Sequence, residues 1–236
     1  MKFLYNYHAD EFLEFVVDNK LNNWWIYDGQ IKDRYNSICN KEYCRMLKKM
    51  ANKHRIHFDQ AEIVSWLDGM SMVYYGLESI EEEKKYILDG LQVIGELHIP
   101  FSNCRADVVL VKDNKILIIE FSYKNKYVSR REQYEEKLNQ VMYYKELLSN
   151  ALPKHIEIAT YSFIVEIEAD DLGIPLNCKS EIYDEDDVTA NTDNCYYLGR
   201  FIQEFFKNTN KSALDELEKI SDDCYRKGKK RKFENK

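Results

Sequence analysis

The chain has 236 residues, 44% of them hydrophobic, and a net charge of −7. This length suits one domain, or one domain with an elaborate flank, and the 18 tyrosines and 11 phenylalanines exclude a disordered chain. The acidic balance excludes a protein drawn to nucleic acid by overall charge, though a local basic patch remains compatible with it.

In chain order, residues 8–20 predict an amphipathic helix with Phe12, Phe15 and Val16 on one face and Asp10 as its cap. Trp24, Trp25, Ile26 and Tyr27 then cluster before the turn signal Asp28-Gly29. A basic helix is expected over 40–53, with Tyr43, Met46, Leu47 and Met50 at helical spacing. A third helix is expected over 59–76, with Ile63, Trp66, Leu67 and Met70 on one stripe, and a fourth over 78–89, ended by Gly90.

The pattern changes after Gly90. Residues 91–99 read as a strand stopped by Pro100, and strands 105–112 and 115–122 follow, joined by the turn pair Asp113-Asn114. Residues 129–150 carry the clearest helix signal, with Ser129 as cap and Leu138, Val141, Met142, Leu147 and Leu148 as apolar face. Residues 155–167 return to strand. An acidic surface loop (181–187), helices over 197–207 and 211–224, and a basic tail from Arg226 to Lys232 complete the chain. The fold class is therefore α/β, with a central mixed sheet of four or five strands flanked by helices. Residues 1–77 form a helical region packing on a core at 78–167, followed by the acidic loop and C-terminal helices (168–225) and the tail (226–236).

Six scattered cysteines form no C-x-x-C pair, which argues against a zinc site or disulfide framework and for reduced thiols in an intracellular protein. The expected compartment is the cytoplasm, or the nucleus of a eukaryote if the basic tail acts as a localisation signal. No apolar run reaches about 18 residues and the N-terminus lacks a secretory signal, so no membrane association is expected.

The chemistry concentrates in the strands. Arg105-Ala-Asp107-Val-Val-Leu and Ile118-Ile-Glu120-Phe-Ser122 each place a carboxylate where an apolar residue is the norm. Buried carboxylates are costly unless paired or bound to a cation, and two on one hairpin repel unless something positive lies between them. A hard divalent ion with oxygen ligands meets that need. Glu96, on the preceding strand, adds a third carboxylate. Metal-assisted phosphodiester hydrolysis uses such carboxylates to hold the ion, together with a cation beside the developing charge.

Glu96…Asp107…Glu120, on a helix–strand–strand–strand–helix–strand pattern, resembles the PD-(D/E)XK nuclease superfamily. Gln140-Val-Met-Tyr-Tyr144 resembles the Gln…Tyr motif of its RecB-like branch, and Glu96-Leu-His-Ile-Pro100…Arg105-Ala-Asp107 resembles the first strands of helicase-associated members. The resemblance covers roughly residues 78–167. It implies a restriction-endonuclease-like core (αβββαβ) with extra N- and C-terminal helices, and a nuclease that hydrolyses DNA in preference to RNA with Mg²⁺ or Mn²⁺. Asp107, Glu120 and Glu96 would hold the metal. Ser122, Gln140 and Tyr144 would support them, and Arg130, Arg131 and Lys137 would contact nucleic acid.

The sequence departs from the family at Ser122, where the motif has lysine; a hydroxyl supplies no positive charge. Lys124, two residues on, is the first substitute expected, and Lys137, on the following helix, the second. Without a substitute the domain becomes a catalytically degenerate nuclease fold that binds nucleic acid or a protein partner, as an effector or accessory factor. A homodimer is compatible with either reading. His54 and His57 lack partners for a metal set and are expected in an exposed loop.

Overall fold

The computed structural model describes residues 2–22, 24, 30–123, 129–169, 175–180, 194–207 and 213–220. Trp25, Ile26, Tyr27, the Asp28-Gly29 turn, Lys124, the acidic loop 181–187 and the basic tail lie outside the described residues.

Six strands form one sheet in sequential order: β1 (Tyr5–His8), β2 (Gln92–His98), β3 (Arg105–Lys112), β4 (Lys115–Tyr123), β5 (Glu157–Ala169) and β6 (Pro175–Ser180). Every neighbouring pair is antiparallel except β4 and β5, which run parallel. A parallel pair needs a crossover, and α5 (Arg130–Ala151) provides it. Four helices precede the sheet's main run: α1 (Ala9–Asp18), α2 (Ile31–Ile38), α3 (Glu42–His54) and α4 (Gln60–Glu78). A 3₁₀ helix (Glu82–Leu88) leads into β2, and α6 (Asn194–Phe206) and a helical stretch at 213–220 follow β6.

The central strands are apolar on both faces, as a sheet covered by helices requires. Val108, Leu110, Leu117, Ile119 and Phe121 point into one cluster with Phe12, Leu47, Leu67 and Met70 from α1, α3 and α4. Val109, Val111, Ile116 and Ile118 point the other way, onto Tyr144 and Leu148 of α5 and Leu217 beyond α6. Asp113 sits at φ 52 in the β3–β4 turn, a conformation that Asp tolerates better than most residues.

The α/β class, the mixed sheet and the run β2–β3–β4–α5–β5 agree with the sequence. The sheet is wider than expected. β1 occupies residues just before the first helix and pairs with β2 as an edge strand, so the N-terminal region supplies a strand as well as helices. The first helix accordingly begins after His8, whose N–H is accepted by the Glu11 carboxylate at 3.2 Å, rather than being capped by Asp10. β6 was not expected either; its Pro175 opens an edge strand, where a missing N–H is tolerated. The helix expected over 78–89 is a 3₁₀ turn, because α4 runs on to Glu78 and leaves only a short segment before the left-handed Gly90 (φ 73). Among the described residues no helix is long and apolar enough to cross a membrane, and Cys39, Cys44 and Cys104 form no disulfide.

Candidate active site

Glu96, Asp107 and Glu120 fall on one line across three adjacent strands. The pairs Gly95↔Val108 and Leu97↔Ala106 bracket Glu96 opposite Asp107, and the β3–β4 ladder ends at Val108↔Ile119, one step short of Asp107 opposite Glu120. The backbone pairing is broken along that line. Glu96 adopts φ 54, which interrupts the strand and turns its side chain out of the regular alternation. A non-glycine residue held in that region costs roughly 1–3 kcal/mol, and such strain concentrates at functional sites.

Side chains replace the missing ladder bonds. The Asp107 N–H donates to Glu120 Oε1 at 2.9 Å, and the Phe121 N–H donates to Asp107 Oδ2 at 3.1 Å. Each carboxylate therefore accepts a backbone N–H from the other's strand. Glu120 Oε2 accepts from Lys137 Nζ at 3.1 Å and Gln140 Nε2 at 3.0 Å. Gln140 also donates to Tyr144 Oη at 2.7 Å, and Gln133 Nε2 donates to Ser122 Oγ at 2.8 Å. Gln133, Lys137, Gln140 and Tyr144 lie at helical spacing on the face of α5 that covers the end of β4.

The helix carrying them is fixed by its start. Ser129 Oγ accepts from the Glu132 N–H at 3.2 Å while Glu132 reaches back to the Ser129 N–H at 3.1 Å, a capping box. Arg130 and Arg131 lie in the first turn; their side chains fall outside the described residues, as does Lys124.

Glu96 is held from the other side. Arg105 Nη1 lies 2.7 Å from Glu96 Oε2 as an ion pair, and Nη2 reaches Glu62 of α4 at 3.2 Å. Asp107, by contrast, has no ion pair with Arg105. A cleft of about 510 Å³ opens here, lined by Glu62, Ser65, Glu96, Arg105, Asp107 and Gln140. Glu120 lies beneath it, fully buried at 0% exposure.

Burial sets the electrostatics. It pushes the Glu120 carboxyl well above the usual carboxylate range, and the like charge of Asp107 pushes it further, against the opposing pull of Lys137. Burial followed by the charge of Asp107 raises Glu96 to about 8, while Arg105 opposes the shift. Asp107 is raised by burial too, but Lys137 and the Phe121 N–H work against it. For Lys137, burial disfavours the charge, yet Glu120 and then Asp107 outweigh it and the ammonium is held more tightly than usual. The site therefore carries more carboxylate than its single ammonium can balance.

Such a surplus is what a divalent cation neutralises. Among the described residues no three His, Cys, Asp or Glu side chains converge as a ready-made metal cage. An ion that keeps most of its water and takes one or two protein carboxylates needs fewer ligands than such a cage. Asp107 lines the cleft and is the carboxylate open to it, while Glu120 Oε2 is held by Lys137 and Gln140.

Of the residues singled out in the sequence, Glu96, Asp107, Glu120, Gln140 and Tyr144 lie together around the cleft and its floor, whereas Ser122 bonds to Gln133. Lys137 was expected both as a nucleic-acid contact and as the second substitute for the missing lysine, reaching back from the helix; it does reach back from α5 and ion-pairs with Glu120. Glu62 and Gln133 were missed. Gln133 had a signal, the polar repeat at i, i+4, i+7 and i+11 along α5; Glu62 had none, because only tertiary packing brings α4 to Arg105. No family model, no curated protein and no solved structure matches this chain.

Proposed function

We propose that the chain is a metal-dependent nuclease that hydrolyses phosphodiester bonds in DNA in the manner of the PD-(D/E)XK superfamily, on a restriction-endonuclease-like core. The observation that carries the reading is the Asp107–Glu120 pair, two carboxylates spanning a gap between strands, one fully buried, with a lysine against them. Asp107 and Glu120 would hold Mg²⁺ or Mn²⁺. The ion would activate water and neutralise charge on the phosphate. The Lys137 ammonium, supplied by α5, takes the part of the lysine that Ser122 replaces and faces the charge that develops on the phosphate oxygens. Glu96, raised to about 8 beside Arg105, keeps its proton at neutral pH and becomes able to accept one from the attacking water as pH climbs toward 8. Gln140 and Tyr144 orient Glu120.

The test is cleavage of single- and double-stranded DNA and RNA with Mg²⁺, Mn²⁺ or EDTA. Metal-dependent cutting of DNA is expected from the natural chain and none from Asp107→Asn. Cutting that survives both Asp107→Asn and Glu120→Gln refutes the assignment.

A second reading, a catalytically degenerate domain that binds nucleic acid or a protein partner, draws on one specific observation. Both Glu120 oxygens are already satisfied by the chain itself, and Ser122 is hydrogen-bonded to Gln133. Calorimetric titration with Mg²⁺ separates the readings: Asp107-dependent heat supports the nuclease, and its absence supports the binding domain.

A further inference from the structure

Beyond Arg105, on the far side from the carboxylates, lies a second cavity of about 330 Å³. Its polar walls are Lys2, His54, Arg55, His57, His98 and Arg105, with Asn103 shared between the two cavities. No carboxylate lines it, in a chain whose net charge is −7.

Backbone geometry gathers these groups. α3 ends at His54, and Arg55 takes the left-handed conformation (φ 56) that closes a helix. That turn buries Ile56 and directs Arg55 and His57 outward. His98 closes β2 and Arg105 opens β3 directly opposite it. The His98 N–H donates to the Lys2 carbonyl at 3.0 Å, which brings the first residues of the chain alongside, and the His54 ring stacks on Phe3 at 5.3 Å. Of the six, only Arg105 forms an ion pair among the described residues. Burial, and then neighbouring cations that include Lys53 and Lys2, lower the pKa of His54.

We infer that this cavity binds a phosphate group of a nucleic-acid strand and seats the strand beside the carboxylate cleft, with Arg105 as the shared wall. That the phosphate belongs to nucleic acid rests on the nuclease reading; the anion site itself does not. Arginine, lysine and protonatable imidazoles around one small space form the donor set that grips phosphate through charge-assisted hydrogen bonds. Both a terminal monophosphate and an internal phosphodiester offer that chemistry.

The test uses the full chain in EDTA, so that neither metal nor cleavage enters. Inorganic phosphate is titrated while the histidine ring resonances are followed by NMR. Two oligonucleotides of one sequence, 5′-phosphorylated and 5′-hydroxyl, are titrated by fluorescence anisotropy. The variant is Arg55→Gly combined with His57→Ala; glycine is at ease at the left-handed position, and an unchanged melting temperature checks the fold. Phosphate is expected to raise the titration midpoint of His54. The double variant is expected to weaken binding by about tenfold or more, the effect of losing one charge-assisted bond. Variant-sensitive preference for the 5′-phosphorylated strand supports the proposal with a terminal phosphate in the cavity. Equal, variant-sensitive binding of both strands supports it with an internal phosphodiester. Binding of phosphate and both strands that is absent or indifferent to the double variant overturns it. Phosphate binding in a chain that does not cut DNA would overturn the nuclease reading alone.

Discussion

The backbone N–H of Asp107 donates to Glu120 Oε1 at 2.9 Å, where a carbonyl of β4 would sit had the ladder continued. Glu120 is therefore both a candidate metal ligand and a structural acceptor, and two substitutions separate those roles. Glu120→Gln keeps one acceptor oxygen but turns an amide N–H₂ toward the donors on the other side and removes the charge facing Lys137, so it should abolish metal-dependent cleavage and lower stability to urea, though by less than removal of the whole side chain. Glu120→Ala strands the Lys137 ammonium and the Asp107 N–H and should cost about 3–5 kcal/mol, the effect of breaking a buried ion pair. Equal stability of the two variants would contradict the geometry.

Stability should fall as pH rises through the neutral range. A carboxyl group with a raised folded pKa holds its proton more tightly in the folded protein. Its contribution is complete below its ordinary pKa and is lost as pH climbs through the folded value. For Glu96 the window runs from its ordinary 4.5 to about 8. The slope from one such proton is at most about 1.4 kcal/mol per pH unit. Urea denaturation at steps across that window should show the decline, and Glu96→Gln should flatten it. Mg²⁺, if bound, should stabilise the protein more at the alkaline end than at the acid end.

Lys137→Met should slow metal-dependent DNA cleavage about a hundredfold or more, the usual effect of removing one preorganised positive donor. Lys124→Ala should change the rate far less. The reverse order in single-turnover rates would return the missing lysine's part to Lys124.

The helical side of the sheet offers a check independent of function. Asp68 is fully buried on α4 and takes a two-nitrogen fork from Arg34, which also lies over the Trp24 ring at 5.0 Å. Arg34→Ala removes the two-nitrogen fork from that buried carboxylate and should cost about 3–5 kcal/mol, whereas Arg34→Met with Asp68→Leu should recover most of the loss. Chemical denaturation of both variants measures the difference.

A methyl group added at Gly69 would lie 2.4 Å from the Phe121 ring. Gly69→Ala should therefore displace Phe121, cost about 1–3 kcal/mol of stability as an overpacked core does, and weaken the Phe121 N–H bond to Asp107. Reduced cleavage in a chain that still melts cooperatively is the expected result; unaltered activity and stability would show that α4 and β4 are less tightly apposed.

The sequence displayed what is coded locally. β3 matched its expected span because its β-branched and aliphatic run is bounded by clear turn residues, and α5 was placed by its Ser129 cap. β1 and β6 escaped notice because short edge strands need no long apolar run. α2 escaped because its polar sequence, Ile-Lys-Asp-Arg-Tyr-Asn-Ser-Ile, buries only Ile38. Asp107 and Glu120 stood out as charges within apolar strands. The partners of Glu96 did not, because its positive φ breaks the alternation from which facing residues are inferred. Lys137 was legible as a basic residue after the motif, but its direction depends on how α5 lies over β4.

The carboxylate-bridged gap also bears on how such a site would decay. Asp107 and Glu120 each complete the hydrogen bonding of the strand opposite, so selection for folding alone preserves them. A descendant relieved of catalysis would keep both. It would shed first the groups that serve chemistry at the expense of comfort, the strained Glu96 among them. In related chains, retention of Glu96 and Lys137 is thus a better mark of a working enzyme than the acidic pair that first draws the eye.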